Sequence, residues 1–255
     1  MVYARYTMPF DHARLLEQVA QIQQRISQAA QRSHRDPASV RLIAVTKTHP
    51  MLRINAVLAA GIHDLGENRV QEAEEKIALQ TPEALAQTRW HLIGHLQRNK
   101  ARRAAKLFSL IHSIDSVKLA EILNRIVDEE ASVIPQPLPI LLQVNVSGER
   151  SKDGFELAGG VHNSAWLDFV GEVRAIAELP LIDLRGLMTI APYSDDVEGV
   201  VRPCFRALRE VRDQLEQRLD RPLSELSMGM SGDFEVAIEE GSTIVRVGTA
   251  LFGAR

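Results

Sequence analysis

Lys47 closes the apolar run Val40-Arg41-Leu42-Ile43-Ala44-Val45-Thr46, and far along the chain come two short segments suited to holding a phosphate, Ser227-Met228-Gly229-Met230-Ser231 and Arg246-Val247-Gly248-Thr249. An amine that leaves a strand end into a dry pocket loses proton affinity by desolvation. Once neutral it forms an imine with an aldehyde. Small residues let backbone amides approach a phosphate, and serine or threonine hydroxyls add donors. Pyridoxal 5′-phosphate (PLP) is an aldehyde that carries a phosphate, so this pairing of an amine with a phosphate loop predicts PLP as the cofactor. Arg246 shares a strand face with Gly248 because side chains alternate along a strand. From there its guanidinium would face the cofactor ring. An arginine is no acid at neutral pH, so it would leave a pyridine nitrogen unprotonated and weaken the ring as an electron sink. Asn68 shares a face with Gly66 and is placed to hydrogen-bond the ring edge.

Other reactive side chains carry less. His91 and His95 lie four apart, but no cysteine or third ligand accompanies them, and no metal site is expected. Cys204 sits beside Phe205 and Leu208 in a helical stretch, which predicts a buried apolar role. Asp128-Glu129-Glu130 reads as a solvated helix end. Each site residue also has a plainer reading: Lys47 as a solvated rim charge, Gly248 as a close-packing glycine, Arg246 paired at the surface with Glu235 or Glu239.

Positioning these groups requires regular elements. Short apolar runs alternate with amphipathic stretches, and eight strands are predicted: Val40–Lys47, His63–Asn68, Trp90–Gly94, Leu110–Asp115, Pro139–Asn145, Asp183–Ile190, Glu225–Met230 and Thr243–Thr249. Asp11 caps a helix over about 11–33 with Leu15, Val19, Ile22 and Ile26 on one face. Ser116 caps another, with a stripe of Leu119, Ile122, Leu123, Ile126 and Val127. Gly241 stops a third. Such alternation predicts an α/β fold, a single (β/α)8 TIM barrel over about 40–255, with the extra N-terminal helix taking the place of a missing eighth helix. An open doubly wound sheet is disfavoured, because Thr48-His49-Pro50 follows the first strand where a glycine fingerprint would stand. Functional groups of such barrels gather at the C-terminal ends of strands, and phosphate often binds after strands seven and eight. Strand one neighbours strand eight on closure, so Lys47, Ser227–Ser231 and Arg246–Thr249 should converge on one rim.

The 255 residues, 45% hydrophobic and 25% charged, suffice for a sizeable core, and no linker divides them, which predicts one domain over residues 1–255. A net charge of −3 offers no nucleic-acid footprint. A single cysteine, no signal-peptide core at the N-terminus and no span-length apolar segment predict a cytoplasmic protein that engages no membrane.

Several motifs in order carry a resemblance. Ile43-Ala44-Val45-Thr46-Lys47, Gly66-Glu67-Asn68-Arg69-Val70-Gln71-Glu72 and the segment from Trp90 to Lys100 resemble the PLP homeostasis protein family, related to the alanine-racemase N-terminal barrel. The likeness continues through Leu142-Gln143-Val144-Asn145, Gly186-Leu187-Met188-Thr189-Ile190, Met228-Gly229-Met230-Ser231 and Gly241-Ser242-Thr243 to Gly253. It implies PLP on Lys47 as an internal aldimine, phosphate held by Ser227, Gly248 and Thr249, Arg246 at the pyridine nitrogen, and Asn68 beside the ring. Ser231 and Met228 are neighbouring candidates. The implied role is to carry or buffer PLP and maintain vitamin B6 and amino-acid balance, with PLP-dependent apoenzymes as partners and a monomer as the working form. No established turnover is implied. A PLP-dependent racemase and a Schiff-base aldolase without PLP are the alternatives. A racemase needs an acid on the face opposite Lys47. The tyrosines are Tyr3, Tyr6 and Tyr193, and the chain ends at Arg255 without a second domain to supply another. The stretch 157–169, with Gly159-Gly160, looks longer than usual in this family and is expected to be a lid or a helix extension.

Overall fold

The computed structural model describes residues 11–253; Tyr3, Tyr6 and the two extremes of the expected domain lie outside them. Eight parallel strands close into a barrel: β1 Arg41–Val45, β2 Asp64–Glu67, β3 Arg89–Leu92, β4 Leu110–Ile114, β5 Leu138–Asn145, β6 Ile182–Met188, β7 Glu225–Ser227 and β8 Ile244–Val247. Closure is through β8 beside β1, in register from Arg41 opposite Ile244 to Ala44 opposite Val247. A two-residue strand, Phe155–Glu156, adds to the edge of β5.

The strands are apolar on both faces because each packs outward against helices and inward against the other strands. Inside the barrel, Ile43, Leu110, Leu141, Met188 and Ile244 form a small apolar plug. The larger core lies between strands and helices. Strand ends fall short of the sequence expectation. Lys47 lies in a turn two residues past β1, and Thr249 opens a short helix, Thr249–Phe252, after β8.

Helix α1, His12–Arg32, starts at Asp11, whose carboxylate accepts from the Arg14 amide (3.0 Å), and buries Leu15, Val19, Ile22 and Ile26. It packs against helices Phe234–Glu239 and Thr249–Phe252 and against Met51–Ala59, so it occupies the eighth helical position. Arg25 reaches Glu235 (2.6 Å) and Arg32 reaches Glu239 (2.7 Å) across that seam. Ser116 caps Val117–Glu129 as expected.

The 157–169 stretch runs into helix Trp166–Ala177, whose first turn it supplies. Leu157 is buried, and a short 3-10 turn, Gly160–His162, packs on helix Arg202–Leu219. Gly160 takes φ 66°, a backbone conformation that favours glycine, and an added Cβ would stand 3.3 Å from the Ala207 carbonyl. Among the described residues no helix is long and apolar enough to cross a membrane.

Candidate functional site

At the C-terminal rim the strand ends surround a cavity of about 350 Å³. Lys47, Asn68, Ser231, Arg246, Gly248 and Thr249 all line it. Apolar walls come from Val45, Ile93 and Ile190. The convergence expected from barrel closure is therefore present for six of the seven predicted residues, the exception being Ser227.

Lys47 owes its position to a clamp that the sequence reading missed. Beneath its turn, the buried Lys76 ammonium donates to the Thr46 carbonyl (2.7 Å), Glu67 (2.6 Å) and Glu72 (2.7 Å). Thr46 Oγ1 donates to Glu67 (2.6 Å) and the Thr48 amide donates to Glu72 (2.5 Å). Thr48 takes a positive φ of 65°, a left-handed conformation that the two flanking carboxylate contacts hold in place. Burial raises the pKa of Glu67 against the pull of Lys76 and Thr46. At Glu72 burial acts in the same direction, but Lys76 and the Thr48 amide outweigh it and lower the pKa. The Glu67 to Lys76 spacing, a strand end followed by one and a half helical turns, was the available signal.

Another part of the cavity wall is formed by Ser231, Gly248 and Thr249. Ser231 Oγ accepts from the Gly248 amide (3.3 Å) and the Ala250 amide (3.1 Å). With its oxygen doubly engaged, the hydroxyl proton remains to donate to a ligand. The turn leading to Ser231 needs glycine: Gly229 has φ 97°, and a Cβ there would lie 2.6 Å from Ala237 Cβ and 3.0 Å from Phe234 Cα. Asp233 receives the Met230 amide (2.5 Å) and fixes the same turn.

Ser227 lies apart from the other predicted residues. It is fully buried, outside the cavity lining, and its hydroxyl is engaged by Arg246 Nη1 (2.7 Å) and His112 Nδ1 (2.8 Å). Met228 is fully buried as well and lies outside the lining, so Ser231 is the serine of that segment at the cavity. Arg246 is no surface ion-pair partner, since Glu235 pairs with Arg25, and Glu239 with Arg32 and Arg202. Its guanidinium is buried and donates to the Ser227 carbonyl (2.7 Å) and the Thr189 carbonyl (2.8 Å). Burial pulls its pKa down to about 10, with Asp233 opposing, and it remains a cation at neutral pH.

Asn68 lines the cavity, and its Oδ1 is buried with no hydrogen-bond partner among the described residues. Gly94 makes this placement possible, because a Cβ at 94 would stand 2.4 Å from the Asn68 carbonyl oxygen. His91 and His95 face different surroundings. The first is buried in the barrel against Asp64 (2.9 Å), and the second lies on the outer rim near Asp115 (3.4 Å) and Asp153 (3.6 Å). Cys204 is buried, and burial pushes its thiol up to about 11.

A phosphorylated aromatic aldehyde fits this donor set. The cavity offers a lysine at one wall, apolar side chains for ring faces, a buried arginine, an asparagine at the edge, and a serine hydroxyl beside small backbone. The arrangement can hold such a group and bond it covalently at Lys47 Nζ.

Comparison with known proteins agrees. Residues 18–255 match the alanine racemase N-terminal domain. The pyridoxal phosphate homeostasis protein of Pseudomonas aeruginosa is 43% identical over 241 residues, covering 94% of this chain and 96% of that one. Its counterpart in Escherichia coli K12 is 41% identical, covering 93% and 95%. PipY of Synechococcus elongatus PCC7942, solved with PLP bound, superposes with a TM-score of 0.76 at 38% identity, over 94% of this chain and all of the other.

Proposed function

Because the chain belongs to the alanine racemase N-terminal domain family, and within it to the pyridoxal phosphate homeostasis proteins, we propose that it binds PLP on Lys47 and acts as a monomeric carrier or buffer that supplies PLP-dependent apoenzymes. The observation that carries this reading is the single cavity in which Lys47, Arg246 and the Ser231–Gly248 anion end meet.

When bound, PLP supplies an electrophilic carbonyl carbon and an electron-withdrawing ring. The chain's own groups decide how far that chemistry goes. Lys47 Nζ holds the cofactor covalently. Ser231 and Thr249 donate to the phosphate beside the Gly248 backbone. Asn68 meets the ring edge. Arg246 would donate a hydrogen bond to the ring nitrogen without giving up a proton, leaving that nitrogen unprotonated and limiting carbanion stabilisation.

Titration of the PLP-free protein with PLP is expected to produce a yellow complex, whereas pyridoxal without the phosphate binds at least tenfold more weakly. Loss of one charge-assisted hydrogen bond is worth roughly 1.5–3 kcal/mol, or about tenfold to a hundredfold. Equal dissociation constants for the two aldehydes would remove the anion end from the site.

The family match and Tyr193 at the cavity mouth favour a second reading, an amino-acid racemase. Racemisation requires an acid held across from Lys47. Tyr193 is the one tyrosine among the described residues and is 97% exposed, so no packing holds it over the cavity. Incubation with L-alanine in deuterated water is expected to give at most slow α-proton exchange without D-alanine. Sustained D-isomer formation, lost in Lys47→Ala, would make the racemase reading the correct one.

A further inference from the structure

A continuous polar chain runs through the otherwise apolar barrel interior. From the cavity floor it passes Arg246 Nη1 to Ser227 Oγ (2.7 Å), Ser227 Oγ to His112 Nδ1 (2.8 Å), and His112 Nε2 to His91 Nδ1 (3.1 Å). It ends with His91 Nε2 to Asp64 Oδ1 (2.9 Å). Asp64 is gripped by Arg89 through two contacts (2.8 and 2.6 Å), and the Arg89 side chain is 56% exposed at the opposite, N-terminal face. Five strands contribute: β8, β7, β4, β3 and β2. Ser227, His112 and His91 are essentially fully buried, as is Arg246.

The direction of this chain follows from its two ends. A guanidinium only donates hydrogen bonds and a carboxylate only accepts them. Arg246 must therefore donate to Ser227, whose own proton is left for His112 Nδ1. His112 must then carry its proton on Nε2 and give it to His91 Nδ1. His91 must likewise carry its proton on Nε2 and give it to Asp64. With both imidazoles neutral, every group between the ends uses one donor and one acceptor, and no other assignment leaves the chain unbroken.

We propose that Arg246→Ser227→His112→His91→Asp64 is a one-way hydrogen-bond relay in which both histidines are neutral Nε2–H tautomers, and that His112 and His91 are positioning residues that fix the Arg246 guanidinium at the cofactor ring. The cofactor part rests on the PLP reading above; the tautomers do not. The charged groups around the pair support neutrality. Burial, His91, Arg246 and Arg41 all push His112 well below the ordinary imidazole range. For His91, burial lowers the pKa against the pull of Asp64, with Arg41 and Arg89 adding to the lowering. Burial alone would raise Asp64, but Arg89 and His91 hold it well below the usual carboxylate range, so the accepting end stays ionised. Arg41 is itself paired with Glu225 (3.2 Å). Cooperative polarisation in a low-dielectric interior strengthens a chain aligned in this sense.

The test uses full-length protein with 15N-labelled histidine, free of PLP, with His112→Phe and His91→Phe used to assign the two signals. Two buried histidines are expected as Nε2–H tautomers that do not titrate between about pH 6 and 8, where ordinary imidazoles do. Ser227→Ala removes the donor into His112 Nδ1 and little volume. It is expected to shift the His112 tautomer balance in the PLP-free protein and to weaken PLP binding about tenfold through a loosened Arg246. An Nδ1–H tautomer, or titration of either histidine in that window, would overturn the relay. So would an unchanged His112 signal in Ser227→Ala. PLP affinity within twofold of wild type in that variant would overturn the positioning role. Failure of the wild-type protein to form a yellow complex would instead strike the PLP reading and leave the tautomer result standing.

Discussion

Lys47→Ala is expected to abolish the yellow colour that PLP gives the wild-type protein, and borohydride treatment of the variant should then leave no pyridoxyl group on this segment. In the wild type, reduction followed by peptide mapping should place one adduct on the peptide containing Lys47. The expectation is specific because the other lysines are differently placed. Lys76 is buried, donating to Glu67, Glu72 and the Thr46 carbonyl, and lies outside the cavity lining. Lys152 is paired with Glu149, and Lys106 with Glu130 (2.8 Å), outside the cavity lining. Imine formation needs a neutral amine facing the carbonyl carbon. Lys47→Arg keeps a positive charge yet forms no imine, so it should behave like the alanine variant and separate covalent bonding from simple attraction. An adduct found only on another lysine, or full colour in Lys47→Ala, would overturn the assignment.

Lys76→Met should be among the most destabilising single changes in the chain. Glu67 has no exposed surface, and its Oε2 has no hydrogen-bond partner among the described residues. Removing the ammonium leaves a buried carboxylate uncompensated, a loss of about 3–5 kcal/mol where a buried pair is broken. Against total stabilities of roughly 5–15 kcal/mol, the urea midpoint should fall steeply with little change in slope. The pH dependence has a definite sign. Burial already raises Glu67 above the ordinary carboxylate value, and loss of Lys76 raises it further. A group whose pKa is higher in the folded state stabilises fully below its unfolded pKa and loses that contribution as pH rises through the folded one. The deficit of Lys76→Met should therefore be larger at pH 8 than at pH 5, and Lys76→Met/Glu67→Gln should recover part of it. Because Thr46 and Thr48 hang on the same clamp, PLP affinity should drop alongside. A loss below about 1 kcal/mol, as for an exposed ion pair, would show that the clamp holds nothing.

The amino-acid order by itself determined the barrel and pointed to most of the predicted residues that line the rim cavity. Parallel strands buried on both faces must be apolar throughout, so Leu42–Val45 or Leu138–Val144 stand out from the amphipathic helices between them, and eight such runs have one simple closed arrangement. Lys47, Arg246, Gly248 and Thr249 were legible because chemistry in this architecture sits where strands end. What the order of residues left open was depth and partnership. Ser227 and Ser231 belong to one short segment, and only the pleat and the turn at Gly229 decide that Ser231 meets the cavity while Ser227 points into the barrel beneath it. His91 and His112 looked like unrelated polar residues in apolar strands. Their link to Ser227 and Arg246 exists because closure brings β7 and β8 across from β3 and β4, a contact between residues as far apart as His112 and Ser227. Lys76 lies nine residues from Glu67, on the helix after β2, yet what it anchors is the turn after β1, so its purpose appears only once β1 and β2 pair. Periodicity records which side of its own element a residue faces; which distant group waits on that side is decided by the packing of the barrel.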